Sequence, residues 1–342
     1  MRILVVAPSW IGDGVISHAL VLRLKELDPS AAIDVLAPPW ALPVYRRMEG
    51  VAQALALPFG HGDVKLGERR RFARSLGAYD RAIVLPNSWK SALVPWHAGI
   101  AVRTGYRGEM RYGLLNDLRV LDEKALPRLV ERYAALAQPA GEALRLPVPV
   151  PRLAVDPARA AATLARLGLD RARPAAAFAP GAEYGPAKRW PARHFAALAG
   201  RLAQRGWQVW LLGSGKDAEA TREIRALAGD ACVDLAGRTS LDDAIDLLAC
   251  AERVVTNDSG LMHVAAALDR PTAALFGSSS PDFTPPLSGK ARVISLALSC
   301  SPCFQRTCPL GHTDCLVKLE PARVLEALEV EPLPLPRVQP AR

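Results

Sequence analysis

The chain has 342 residues, 50% hydrophobic and 23% charged, a globular balance that excludes intrinsic disorder and suits two domains of ordinary size. No apolar run approaches the ~18 residues of a membrane-spanning helix, and six cysteines in so long a chain exclude a secreted disulfide scaffold. The net charge is +9; divided at Val155, the first part carries +7 and the second +2, which calls for an anionic partner near the first part.

Residues 2–7 are a β-branched apolar run and predict a buried strand rather than a secretory signal. A turn with Pro8, Gly12 and Gly14 follows, then helical spacing over 15–27 and a second strand at 32–37. That is a β-α-β unit, whose parallel strands need a crossover. The run from Lys65 to Arg74 holds Arg69, Arg70 and Arg71 in succession; it is either a solvated helix face or an anion-binding face. Residues 81–85 predict a further strand. Residues 86–150 carry no clear pattern, and the alternating prolines from Pro147 to Pro151 predict a stiff extended segment.

Beyond it the rhythm is plainer. Strands are predicted at 175–179, 208–212, 253–256, 272–276 and 292–296, and helices at 192–205, 217–227, 241–250, 260–268 and 321–328. Alternating strands and helices imply doubly wound parallel sheets, whose ligands bind beyond the carboxyl ends of the strands. The expected domains are 1–155 and 156–330, with a proline-rich tail over 331–342.

Several loops at strand ends carry chemistry. Asp13, in the first glycine turn, is either a helix cap or a base able to deprotonate a hydroxyl. The stretch from Ala179 to Pro191 ends in Lys188-Arg189 and is either a solvated connection or a holder of diphosphate. Gly213-Ser-Gly215 is a third such loop, short of a full dinucleotide fingerprint, and no P-loop consensus occurs. Thr256-Asn-Asp-Ser-Gly-Leu-Met-His263 joins a strand to a helix. Asp258 or Ser259 can cap that helix, and N–H groups near Ser259, Gly260 and Leu261 can bind phosphate. His263 lies on the first turn, where packing or capping is its ordinary role. Cys300, Cys303, Cys308 and Cys315, with His312 among them, are free thiols or a structural metal site. There is no D-x-D pair for a metal-bound diphosphate, and no nucleic-acid recognition motif.

Four stretches together resemble the ADP-heptose:lipopolysaccharide heptosyltransferases, glycosyltransferase family nine. They are Pro8-Ser-Trp-Ile-Gly-Asp-Gly14, Pro180-Gly-Ala-Glu-Tyr-Gly-Pro-Ala-Lys-Arg-Trp-Pro191, Thr256-Asn-Asp-Ser-Gly-Leu-Met-His-Val-Ala-Ala-Ala267 and Gly277-Ser-Ser-Ser-Pro-Asp-Phe-Thr-Pro-Pro286. The resemblance spans about residues 1–328 and favours the branch that adds the second heptose. It implies an α/β GT-B fold, two Rossmann-like doubly wound domains facing a cleft, the first for acceptor and the second for ADP-heptose. It also implies inverting transfer of heptose to the first heptose of the inner core on Kdo-lipid A, with no metal or other cofactor.

In that resemblance Asp13 matches the general base. Lys188, Asp258, Ser259, Gly260 and His263 match donor-binding positions. Glu183 and Tyr184 stand where the family contacts diphosphate or sugar, and Gly213, Asp217 and Thr239 fall near the adenosine. The positive first part makes Arg69, Arg70, Arg71, Arg103, Arg107 and Arg111 candidates for the anionic acceptor. A cytoplasmic enzyme touching the inner membrane peripherally, with no nucleic-acid partner, is expected. The alternatives are the first heptosyltransferase or another nucleotide sugar or acceptor, a Rossmann dehydrogenase or epimerase, and a non-catalytic nucleotide-binding module.

Overall fold

The structure is a computed structural model describing residues 1–60 and 62–329; the proline-rich tail expected at 331–342 lies outside the described residues. The chain divides into two compact units. One is Met1–Ala154 with Asp282–Thr284, the other Val155–Pro281 with the residues from Pro285 onward.

The first unit holds one parallel sheet of β1 (Arg2–Val6), β2 (Ala32–Ala37), β3 (Val51–Ala56), β4 (Arg81–Val84), β5 (Val102–Tyr106) and β6 (Asp117–Arg119), in the order β3-β2-β1-β4-β5-β6. The second repeats this order with β7 (Ala175–Ala179), β8 (Gln208–Leu211), β9 (Val233–Asp234), β10 (Arg253–Asn257), β11 (Thr272–Leu275) and β12 (Ala291–Ile294), as β12-β11-β10-β7-β8-β9. Both are doubly wound Rossmann-like sheets. Their order reverses between β1 and β4, and again between β7 and β10. Crossovers leave these pairs on opposite sides, so the loops beyond them part and open a crevice.

The central strands are covered on both faces. β7 reads Ala-Ala-Ala-Phe-Ala and is wholly buried, the continuous apolar run of a parallel sheet. Phe178 packs there with Trp190, Phe195 and Leu198. The strands absent from the sequence reading, β3, β5, β6 and β9, lie toward the sheet edges. β3 is half-exposed and Ala-rich, and β9 has two residues, too little apolar signal for a period to show.

The predicted helix at 15–27 is instead two, Ile11–Ile16 and His18–Leu27. The expected glycine turn is therefore partly helical. Ser17 Oγ donates to the carbonyl of Gly14 at 2.6 Å, the back-bond that bends helices. Gly14 is required: a Cβ there would stand 2.8 Å from Tyr45 Oη. The extended segment after Leu146 is tied to the first unit. Buried Arg23 donates to the carbonyls of Arg145 and Pro147, and Arg152 N–H donates to His18 Nδ1.

Asp34 is a buried charge on β2. It accepts from Arg2 Nη2 at 2.9 Å and Tyr79 Oη at 2.8 Å. Burial first, and the Asp34 carboxylate second, push the Tyr79 hydroxyl up to about 12, so it remains a donor. Tyr79→Phe leaves Asp34 one partner short and should destabilise the first unit by about 1–3 kcal/mol, read as a lower urea midpoint for that unit.

Candidate active site

Both switch points carry polar side chains. In the second unit, Asn257 ends β10 and clamps the long loop after β7. Its Nδ2 donates to the carbonyl of Pro180 at 2.6 Å, and its Oδ1 accepts from Trp190 N–H at 3.1 Å. The loop between those anchors delivers Lys188 on a short turn, Pro186–Lys188. Lys188 Nζ meets Asp258 Oδ2 at 2.5 Å, and Ser279 Oγ donates to the same oxygen at 2.5 Å.

Ser259 holds the N-cap of the helix Gly260–Ala267 with an extended backbone and without a side-chain cap bond; its hydroxyl pairs with Thr256 Oγ1 at 3.2 Å. The first N–H groups of any helix lack partners within it, and here they adjoin the ammonium–carboxylate pair. His263 is buried on the first turn. Burial pulls it down to about 4, against the favourable Asp258 charge and with the unfavourable Lys188 charge, so it is neutral at pH 7.

Lys188 Nζ also lies 4.9 Å from the Tyr184 ring centroid, with the Arg306 guanidinium 5.1 Å from the same ring. Tyr184 Oη donates to the carbonyl of Phe304. Glu183 pairs with Lys216 at 2.6 Å, linking this loop to the one after β8. There Asp217 accepts from Ser214 N–H and Oγ and fills the space left by Gly213, where a Cβ would stand 2.8 Å from Asp217 Cβ. Asp217 thus shapes the glycine loop. Thr239 donates to the carbonyl of Leu235, and nearby Gly237 approaches Gly215 closely. The structure therefore gathers Glu183, Tyr184, Lys188, Asp258, Ser259, Gly260 and His263, with Gly213, Asp217 and Thr239 on adjoining loops. The sequence reading gave no role to Asn257, Ser279 or Arg306. The first two lie within the quoted motifs, but their partners are distant in sequence.

In the first unit Asp13 sits in the first turn of the helix Ile11–Ile16, after β1, partly exposed; Trp10 occupies the cap position. Tyr45 and Tyr133 are buried beside it. Burial first, with the Asp13 charge adding, pushes both hydroxyls up. Both are therefore neutral phenols in the field of the Asp13 carboxylate.

The arginine expectations need correction. Arg69 is 4% exposed, donates to the carbonyls of Val64 and Asp63 and lies over Phe59. Arg111 is 1% exposed and donates to the carbonyls of Tyr106 and Pro86. Both satisfy loop carbonyls that burial removes from water, so neither faces a partner. Arg103 is half-buried and bonded to the carbonyls of Leu114 and Ile100. Arg70, Arg71, Arg74 and Arg107 are exposed.

A model of glycosyltransferase family 9 (heptosyltransferase) matches residues 69–314, which covers the loops holding Lys188, Asp258 and Ser279. This chain belongs to that family. Among family 9 relatives, lipopolysaccharide heptosyltransferase 2 of Escherichia coli K12 is 52% identical over 339 residues, covering 96% of this chain and 97% of that protein. Lipooligosaccharide heptosyltransferase 2 of Haemophilus influenzae Rd is 49% identical over 308 residues, 86% of this chain and 89% of that one. The structure of E. coli ADP-heptose LPS heptosyltransferase II superposes with a TM-score of 0.87 at 50% identity, covering 96% of this chain and 97% of that one. The chain is thus a glycosyltransferase, and its two Rossmann-like sheets are those of the GT-B class. Among the described residues no helix is long and apolar enough to cross a membrane.

Two expectations follow. Because the folded pKa of His263 lies below the ordinary value of 6.5, the unfolded chain binds its proton first as pH falls. Stability from this group is whole above about pH 6.5 and declines toward about pH 4; His263→Gln should flatten that slope in urea midpoints measured against pH. Arg69→Ala should destabilise the first unit by about 1–3 kcal/mol, while Arg70→Ala should stay within about 0.5 kcal/mol, both read by urea denaturation.

Proposed function

We propose that this family 9 enzyme transfers heptose from ADP-heptose to the first heptose of the lipopolysaccharide inner core, on a Kdo-lipid A acceptor. The near full-length 52% identity with lipopolysaccharide heptosyltransferase 2 of E. coli carries this reading. The second unit binds the donor. N–H groups at the start of the helix Gly260–Ala267 receive the diphosphate. Lys188, positioned by Asp258, balances the negative charge that grows as ADP leaves. Neutral His263 leaves that helix end without a second full charge. Glu183 and Tyr184 border the diphosphate, and the loops of Gly213, Asp217 and Thr239 receive the adenosine.

The first unit binds the acceptor. Asp13 takes the acceptor hydroxyl proton as its oxygen attacks the anomeric carbon on the face opposite ADP, which inverts configuration. The ammonium of Lys188 supplies the charge that a divalent ion supplies in metal-dependent transferases, so the step needs no metal. Exposed Arg70, Arg71 and Arg107 favour a phosphorylated acceptor. Arg70 and Arg74 act on His97, whose pKa is lowered first by burial and then by these two charges. With exposed Trp96 they form a basic, aromatic-edged patch suited to an anionic lipid surface. Peripheral contact with the cytoplasmic face of the inner membrane follows from it.

The test is transfer with purified protein, ADP-heptose, EDTA and Kdo-lipid A core carrying one heptose or none, read by product mass. One heptose should be gained on the heptose-bearing core alone. Asp13→Asn should lower turnover by about 10²–10⁴-fold. Arg70→Glu with Arg71→Glu should raise the acceptor KM more than the ADP-heptose KM. Transfer to the heptose-free core would make the enzyme a first heptosyltransferase, and equal effects on both KM values would remove the arginines from the acceptor site.

A further inference from the structure

The second unit contains a constellation that sugar transfer does not use. Cys300, Cys303, Cys308 and Cys315, with His312 and Ser278, line one cavity of about 20 Å³, room for a single ion or water. All four cysteines are free. The chain turns tightly after Cys308, whose carbonyl accepts from Gly311 N–H at 3.1 Å. Gly311 and Thr313, between Cys308 and Cys315, take left-handed backbone angles, with φ of 74° and 53°.

Ser278 is an independent sign. It is 1% exposed, it lines the cavity, and its Oγ has no hydrogen-bond partner. A buried hydroxyl left so costs about 1–3 kcal/mol, which a sulfur anion in the cavity would recover. The Nδ1 of His312 already accepts from Asp314 N–H at 2.9 Å, so the sulfurs are the natural ligand set.

We propose that Cys300, Cys303, Cys308 and Cys315 form a structural site for one zinc ion. Four thiolates at short sequence spacing meet the tetrahedral, sulfur-rich preference of Zn²⁺. Binding releases four thiol protons to solvent and forms four Zn–S bonds, leaving a complex of charge −2. Among the described residues no three His, Cys, Asp or Glu side chains stand close enough together to hold a metal ion; the proposed site therefore requires the four sulfurs to close around the ion on binding.

The site has a consequence for the donor loop, which rests on the function proposed above. Phe304 and Arg306 lie between Cys303 and Cys308, and their carbonyls accept from Tyr184 Oη at 2.8 Å and Ala187 N–H at 3.0 Å. Gly185 permits this contact, since a Cβ there would stand 2.5 Å from the Arg306 carbonyl oxygen. A metal-clamped cysteine loop therefore fixes the segment that delivers Lys188.

The experiment is elemental analysis of full-length protein produced with added zinc and kept reduced. About one zinc per chain is expected, lost on Cys303→Ser with Cys308→Ser and kept on Cys232→Ser. Cobalt exchanged into the wild-type chain should give the intense absorption of a tetrahedral thiolate site. Wild-type protein that takes up no zinc, a cobalt spectrum without thiolate character, or full zinc in the double variant would each overturn the site. The cobalt spectrum decides even if the double variant does not fold. ADP binding to wild-type protein, measured calorimetrically with and without its metal, should weaken several-fold on metal removal. Unchanged affinity would overturn the link to the donor loop. Absence of ADP binding in both states would instead overturn the function proposed above, with the zinc stoichiometry unaffected.

Discussion

A single carboxamide holds the donor-side chemistry in register. Asn257 grips the Pro180 carbonyl and the Trp190 N–H, so the intervening loop leaves β7 and returns at points fixed against β10. Only then can Lys188 reach Asp258, seventy residues away in sequence. The pair is largely buried, where an isolated charge would be costly. Its partners are therefore already satisfied, and Ser279 adds a donor to the shared carboxylate oxygen. An ammonium held this way loses little freedom when a diphosphate arrives, which is the advantage of a preorganised electrostatic site.

The order reversal of each sheet decides which loops can do this work. In the second unit, the loops after β7 and β10 flank the switch point and carry Lys188, Asp258 and Ser259, while Ser279 and Arg306 come from the segments after β11 and β12. In the first unit the switch lies beside β1, and Asp13 follows it. The same topology used twice thus yields a cationic, N–H-rich site in one unit and a carboxylate flanked by neutral phenols in the other. The fold supplies the position, and the side chains supply the opposite chemistries.

The strong apolar runs made the central strands readable, because parallel strands buried on both faces are continuous in sequence. β7 and the helix Leu241–Cys250 match their expected bounds. Of the edge strands β12 was readable, but β6 and β9 are three and two residues long and bury too little to show a period. The strand-to-helix loops were visible as Gly, Pro, Asp and Lys at strand ends. Which of these groups touch was not visible, because Lys188–Asp258 and Tyr184–Phe304 join residues 70 and 120 positions apart.

Arginine shows the same limit most sharply. Arg69, Arg70 and Arg71 are identical in type and adjacent in sequence, yet one turns inward and two face water. Helical rotation separates them by about 100° per residue, and Phe59 with two loop carbonyls captures the one aimed inward. A charge count over the run assigns all three to a partner. Burial removes Arg69 from that count, and Arg111 with it, because buried carbonyls left without donors would cost more than desolvating a guanidinium that satisfies several at once. Part of the positive excess of the first unit is therefore structural. Of the candidate arginines, those on the helix Leu66–Ser75 other than Arg69, together with Arg107, keep their charge in water, where its attraction reaches about one Debye length.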